Sequence, residues 1–113
     1  MSVRALAASD AWQAGWVFFD QGFFWEAHEA WEPVWMSLPP NSAERHLVRA
    51  VIQFANARLK ERMQRPRAAR RLCELTRECL AACGAEDEVM SVSLSDLLAQ
   101  LGALERRLAD GAS

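Results

Sequence analysis

A chain of 113 residues, about half of them apolar and a quarter charged, has the composition of a globular protein and the length for a single domain, residues 1–113, around one core. Five glycines and four prolines are too few for a fibrous or disordered chain, and no apolar run approaches the roughly 20 residues that span a bilayer. The net charge of −2 conceals a basic middle between acidic ends: Arg and Lys against Asp and Glu number 1 and 5 over residues 1–38, 10 and 3 over 39–77, and 2 and 7 over 78–113.

The opening "MSVRALAASDAW" is interrupted too soon by Asp10 for a secretory signal, so a cytoplasmic protein is expected. Ser9 or Asp10 can cap a first helix through about Phe19, with Trp12, Trp16 and Phe19 at three- and four-residue steps. "DQG" at 20–22 reads as a tight turn. A second helix follows from about Phe23 to Met36 and stops before "SLPPNS", where two prolines and the polar residues after them impose a loop.

Asn41 with Glu44, or Ser42, starts a third helix with an apolar stripe of Leu47, Val48, Val51, Ile52, Ala55, Leu59 and Met63. It is expected to be the central element. Pro66 opens a fourth helix that runs through Leu72, Leu75, Cys79 and Leu80 to a stop at Gly84. Cys73, Cys79 and Cys83 share this helix, form no disulfide framework, and read as reduced packing residues. An acidic loop, "GAEDEV", leads to a last helix started by Ser93 and Asp96. Its leucines 94, 97, 101, 104 and 108 make a short seam, more suited to packing within the chain than to a dimer. No segment shows strand alternation. The fold class expected is all-α, a compact bundle of about five helices.

The densest chemistry is "FFWEAHEAWEPVW", residues 23–35. At about 100° per residue, Phe24, Trp25, His28, Trp31, Glu32 and Trp35 fall within roughly a 120° arc, which puts His28 and Glu32 on the aromatic face with Glu29 near its edge. A buried carboxylate needs a partner. The third helix offers Arg45, Arg49, Gln53 and Asn56 along one side, and Glu32, with His28, is expected to meet an Arg or Gln there. Alternatively, His28 and Glu32, one turn apart, could share a divalent cation with Glu29 as a base, in the manner of helical zinc motifs. The third ligand is missing from that pattern, and Pro33 removes the hydrogen bond to the Glu29 carbonyl.

These residues resemble a small helical family of prokaryotic proteins, domain of unknown function 309. The resemblance rests on "FDQGFFWEAHEAWEPVW" at 19–35, on "ERHLVRAVIQFANA" at 44–57 and on "RPRAARRL" at 65–72. Ala50 and Ala68 stand where the family often has glycine, Arg65 where it has asparagine, and Pro33 interrupts the motif helix. The resemblance implies an all-α bundle with His28, Glu29, Glu32, Trp35, Arg45 and Gln53 as signature positions, and it implies no activity.

The reading is therefore of a structural or ligand-binding module with a polar cluster, His28, Glu29, Glu32, Trp35, Arg45, Arg49 and Gln53, between the second and third helices. Its partner would be a small molecule. One alternative is a metal-dependent enzyme using "HEAWE", with no cofactor implied beyond that divalent metal. The other is a weak anion or nucleic-acid binder through "RLKERMQRPRAARR", residues 58–71; nucleic acid is disfavoured because Glu61 interrupts the run and no aromatics interleave it. Charge segregation and the leucine seam allow a homodimer without requiring one.

Overall fold

The computed structural model describes residues 2–111. Within them, six helices and one small hairpin follow in chain order: α1 Val3–Ala7, α2 Asp10–Asp20, α3 Phe24–Ser37, α4 Ala43–Arg62, α5 Pro66–Ala81, β1 Glu88–Val89, β2 Val92–Ser93 and α6 Leu94–Gly111. The all-α bundle of five long helices is as the apolar periodicity implies. The five-residue α1 and the hairpin are additions to it.

Local chemistry sets most boundaries. Ser9, rather than Asp10, caps α2 by accepting the Trp12 N–H at 3.3 Å. After α2, the Gly22 N–H reaches the Phe19 carbonyl and the Phe23 N–H the Phe18 carbonyl, with Gly22 at φ 84°. This is a Schellman stop, which a side chain at Gly22 would strain. Ser42, rather than Asn41, caps α4 through the Arg45 N–H at 3.1 Å. Pro66 takes the first position of α5, where no intrahelical N–H is needed. Pro33 lies inside α3 on its exposed side, where water can reach the Glu29 carbonyl that the proline leaves without an intrahelical partner.

Helix α4 is central, packing against α3 on one side and α5 on another, with α6 across α5 and touching α4. Leu47, Val48, Val51, Ile52 and Ala55 of the expected stripe are buried, and so are Ala50, Phe54 and Ala57, so the middle of α4 is covered on several faces; Leu59 is half-buried, and Met63, beyond the end of α4, is exposed. Leu94, Leu97, Leu101, Leu104 and Leu108 are all buried within the chain; the seam is intramolecular and offers no dimer surface. Burial pushes the thiols of Cys73 and Cys83 up to about 11, and all three cysteines are free and buried, which suits inert packing groups.

At the other end the core is aromatic. Trp31, fully buried, packs against Trp12 at 5.6 Å, Trp16 at 4.7 Å and Phe19 at 6.0 Å between ring centroids. Its indole N–H donates to the Trp12 carbonyl at 3.2 Å, and the Trp12 indole N–H donates to the Met90 carbonyl at 3.1 Å. Buried tryptophans thus satisfy their polar edge while filling the interior. The second of these bonds ties the hairpin to α2. In that hairpin Val89 faces Val92, and the two connecting residues, Met90 and Ser91, have φ of 53° and 62°, the signature of a type I′ turn made without glycine.

An ion pair ties the last helix to the central one. Arg107 of α6 forks onto Glu61 of α4 with bonds of 2.7 and 3.0 Å, and this hydrogen bonding holds the Glu61 carboxyl below its usual range. A depressed carboxyl contributes stability that is present above its unfolded value, about 4.3, and is lost as pH falls through the lower folded value. Glu61→Gln should therefore lower stability near neutral pH by about 1 kcal/mol. The gap between variant and wild type in thermal melts should shrink as the pH drops below about 4.

Candidate functional site

The residues of "HEAWE" sit where α3 crosses α4. The deeply buried face of α3 is Phe24, Ala27, Trp31 and Val34, so the arc expected from the sequence is rotated. Trp25 is 52% exposed, and the side chains of His28 and Glu32 are 19% and 54% exposed. His28, Glu32 and Trp35 border the core instead of lying inside it. The cause is Trp31, whose indole enters the space beside Gly15 of α2 and fixes how α3 is turned.

The contact expected for Glu32 is corrected accordingly. Its carboxylate meets His28 of its own helix, Oε2 to Nε2 at 2.9 Å, in place of an Arg or Gln of α4. His28 makes the link to α4, its Nδ1 lying 2.9 Å from Asn56 Oδ1. With Nδ1 protonated, the ring donates to this amide oxygen. Nε2 lies against the Glu32 carboxylate at 2.9 Å, so each ring nitrogen has a polar partner, and which contact the ring donates to depends on its tautomer. Trp25 stands edge-on to this imidazole, 5.1 Å between centroids.

Beside the pair lies a cavity of about 280 Å³ lined by His28, Glu32, Trp35, Arg49, Ile52, Gln53 and Asn56. Five of the seven predicted residues, His28, Glu32, Trp35, Arg49 and Gln53, come together there. Arg45 is outside the lining; its guanidinium covers the Trp35 ring at 4.4 Å and donates to the Leu38 carbonyl at 3.0 Å, which holds the ring in place. Glu29 is exposed and away from the cavity. Asn56 belongs to the site although it is absent from the predicted cluster. Its signal is the three-residue step from Gln53 and the seven-residue step from Arg49 along one face of α4.

Among the described residues no group of three or more His, Cys, Asp or Glu comes together to hold a metal ion, and the other histidine, His46, lines a neighbouring small cavity with Glu78 and Cys79 that shares Arg49 with the first. The basic run 58–71 is partly engaged in packing. Arg58 and Arg62 lie over the Phe24 ring at 4.8 and 4.6 Å, Arg62 also donates to the Gly22 carbonyl at 2.6 Å, and Glu61 is held by Arg107. Among the described residues, no helix is long and apolar enough to cross a membrane.

A helical bundle with a polar, tryptophan-walled cavity between two adjacent helices is the class of protein these features define. Residues 12–72 match the family described as Domain of unknown function (DUF309), more than half of the chain, and the chain belongs to that family. In the solved structures it is similar to a conserved hypothetical protein from Thermus thermophilus, at 28% identity and a TM-score of 0.67 over 89% of this chain and 97% of that one. No curated protein matches the chain. Every lining residue of the cavity between α3 and α4 falls inside the matched stretch. A larger cavity, about 650 Å³ between the end of α5, the hairpin and α6, is lined by residues 77–98 and falls wholly outside it.

Proposed function

We propose that the protein is a small-molecule-binding module whose ligand lies between α3 and α4, a planar molecule carrying an acidic group. The observation that supports this reading is the makeup of the 280 Å³ cavity: Trp35 and Ile52 supply an apolar wall, and Arg49, Gln53, Asn56 and the His28–Glu32 pair supply convergent polar groups. Arg49 has no ion-pair partner among the described residues and is exposed. Its planar fork matches a carboxylate. The ring of Trp35 gives a flat surface for an aromatic body, and the imidazole of His28 offers the ligand a donor or an acceptor according to its tautomer.

Benzoate and nicotinate serve as probes, with benzyl alcohol as the neutral control, each titrated while the indole N–H resonances of Trp25 and Trp35 are followed by NMR. The acids should shift both resonances saturably and the alcohol should not. Arg49→Ala should abolish the shift while changing thermal stability by no more than about 0.5 kcal/mol, as expected of an exposed, unpaired side chain. Undiminished binding of benzoate to the Arg49→Ala protein would sink the reading.

A further inference from the structure

Arg49 belongs to two cavities. Besides the one between α3 and α4, it lines a recess of about 140 Å³ between α4 and the later turns of α5, together with His46, Leu75, Glu78, Cys79 and Ala82. The two spaces therefore adjoin at Arg49. Alone, the recess is smaller than the roughly 300 Å³ at which ligand pockets begin, and its size suits a headgroup.

Arg49 and Glu78 come to this recess from two packed helices with opposite charges. They form no ion pair, and neither pairs with another charged side chain among the described residues. Cys79 is the buried member of the lining, 7% exposed. Its thiol makes no hydrogen bond among the described residues, whereas the Cys83 thiol donates to the Cys79 and Ala43 carbonyls. Burial raises the pKa of the Cys79 thiol, and both charges reach it, Arg49 opposing the rise and Glu78 adding to it. A cation and a carboxylate thus converge on one buried thiol without meeting each other, which leaves room for a molecule carrying the complementary pair of charges.

We infer that the ligand is an α-amino acid with an aromatic side chain, its carboxylate on Arg49 with His46 one turn away, its ammonium on Glu78, and its ring against the Trp35 and Ile52 wall of the adjoining cavity. This rests on the reading of the α3–α4 cavity as a site for a planar acid, and it names the class of that acid. A simple carboxylate at Arg49 meets the repulsion of Glu78 in the same recess, and a second anionic group would meet more of it. An ammonium on the neighbouring carbon reverses the sign of that contact. The two charges of such a headgroup sit one carbon apart, as a recess this small requires, and each gains a charge-assisted hydrogen bond.

The test titrates L-phenylalanine, hydrocinnamate and phenethylammonium into the full chain, with benzoate alongside and the Trp35 indole resonance as readout. The first three share a phenyl ring on a short carbon chain and differ in the headgroup. The amino acid should bind at least about tenfold more tightly than hydrocinnamate, the contribution of one charge-assisted hydrogen bond, and more tightly than phenethylammonium. Glu78→Gln should erase the preference over hydrocinnamate, and Arg49→Ala should abolish binding of the amino acid. Glu78 is exposed and its side chain makes no hydrogen bond among the described residues, so its replacement leaves the fold intact. Hydrocinnamate bound as tightly as the amino acid, or a preference that survives Glu78→Gln, would overturn the inference while the planar-acid reading stands. Absence of a shift from benzoate and from the amino acid alike would remove both.

Discussion

Gly15→Ala should destabilise the protein by about 3 kcal/mol and lower its melting temperature by about 10 °C or more. The substitution looks benign in the sequence, since alanine at a helix interior normally gains about 1 kcal/mol over glycine. Here a Cβ at position 15 would run into Nε1, Cδ1 and Cε2 of Trp31. The indole cannot retreat, because Trp12, Trp16 and Phe19 enclose it and it is fully buried. Any shift also breaks its bond to the Trp12 carbonyl and leaves a buried donor unpaired, worth about 1–3 kcal/mol by itself. Gly102→Ala is the internal control. Its Cβ would meet only the end of the Arg106 side chain at 3.4 Å, so that variant should gain up to about 1 kcal/mol. Urea denaturation of the two variants beside wild type decides the matter; equal effects at both positions would mean that the close packing of α2 on α3 is not what Gly15 is for.

The same packing explains what could and could not be read from the residues. The long helices were legible because their signals are local: Ser42 before α4, Pro66 at the start of α5, Gly84 after its end, and leucines at steps of three and four along α6. The resemblance placed the family correctly for the same reason, since its motifs lie on consecutive helical turns. The rotation of α3 was not legible. Periodicity alone centres its buried face near His28, but the space beside Gly15 draws Trp31 inward, and the turned helix presents Phe24, Ala27, Trp31 and Val34 to the core. Glu32 consequently pairs with its helical neighbour His28, and the bridge to α4 falls to Asn56. The set of residues near the crossing was visible in the sequence, while their pairing depended on a tertiary gap.

The two missed elements have a related cause. Helix α1 is a single five-residue turn, too short for periodicity, and is anchored by the burial of Leu6. The hairpin lacks the Asn-Gly pair that would announce a type I′ turn. Met90 and Ser91 both occupy a left-handed conformation that non-glycine residues disfavour by roughly 1–2 kcal/mol each. Distant contacts compensate for that local preference: Met90 is buried and its carbonyl accepts the Trp12 indole N–H from 78 residues away in the sequence.

Trp12→Phe should consequently cost about 3 kcal/mol, more than the loss of ring volume alone. Phenylalanine leaves a void in a site that is 1% exposed, which accounts for about 1–2 kcal/mol. It also removes the donor to the Met90 carbonyl, leaving a buried acceptor without its partner, for about another 1–2 kcal/mol. Hydrogen exchange should show the second effect directly, as faster exchange of the Leu94 amide, which bonds to the Asp87 carbonyl across the hairpin at 3.0 Å. Ser91→Gly provides the complementary substitution, because Ser91 is exposed and glycine relieves its positive φ; in the wild-type background it should stabilise by about 1 kcal/mol. If the Trp12 bond is what holds the turn in its strained form, the turn can relax once that bond is gone, and Ser91→Gly should gain distinctly less in the Trp12→Phe background. The four proteins make a double-mutant cycle read by urea denaturation. A gain of the same size in both backgrounds would show instead that the pairing of Val89 with Val92 sets the turn unaided, with Trp12 contributing packing alone.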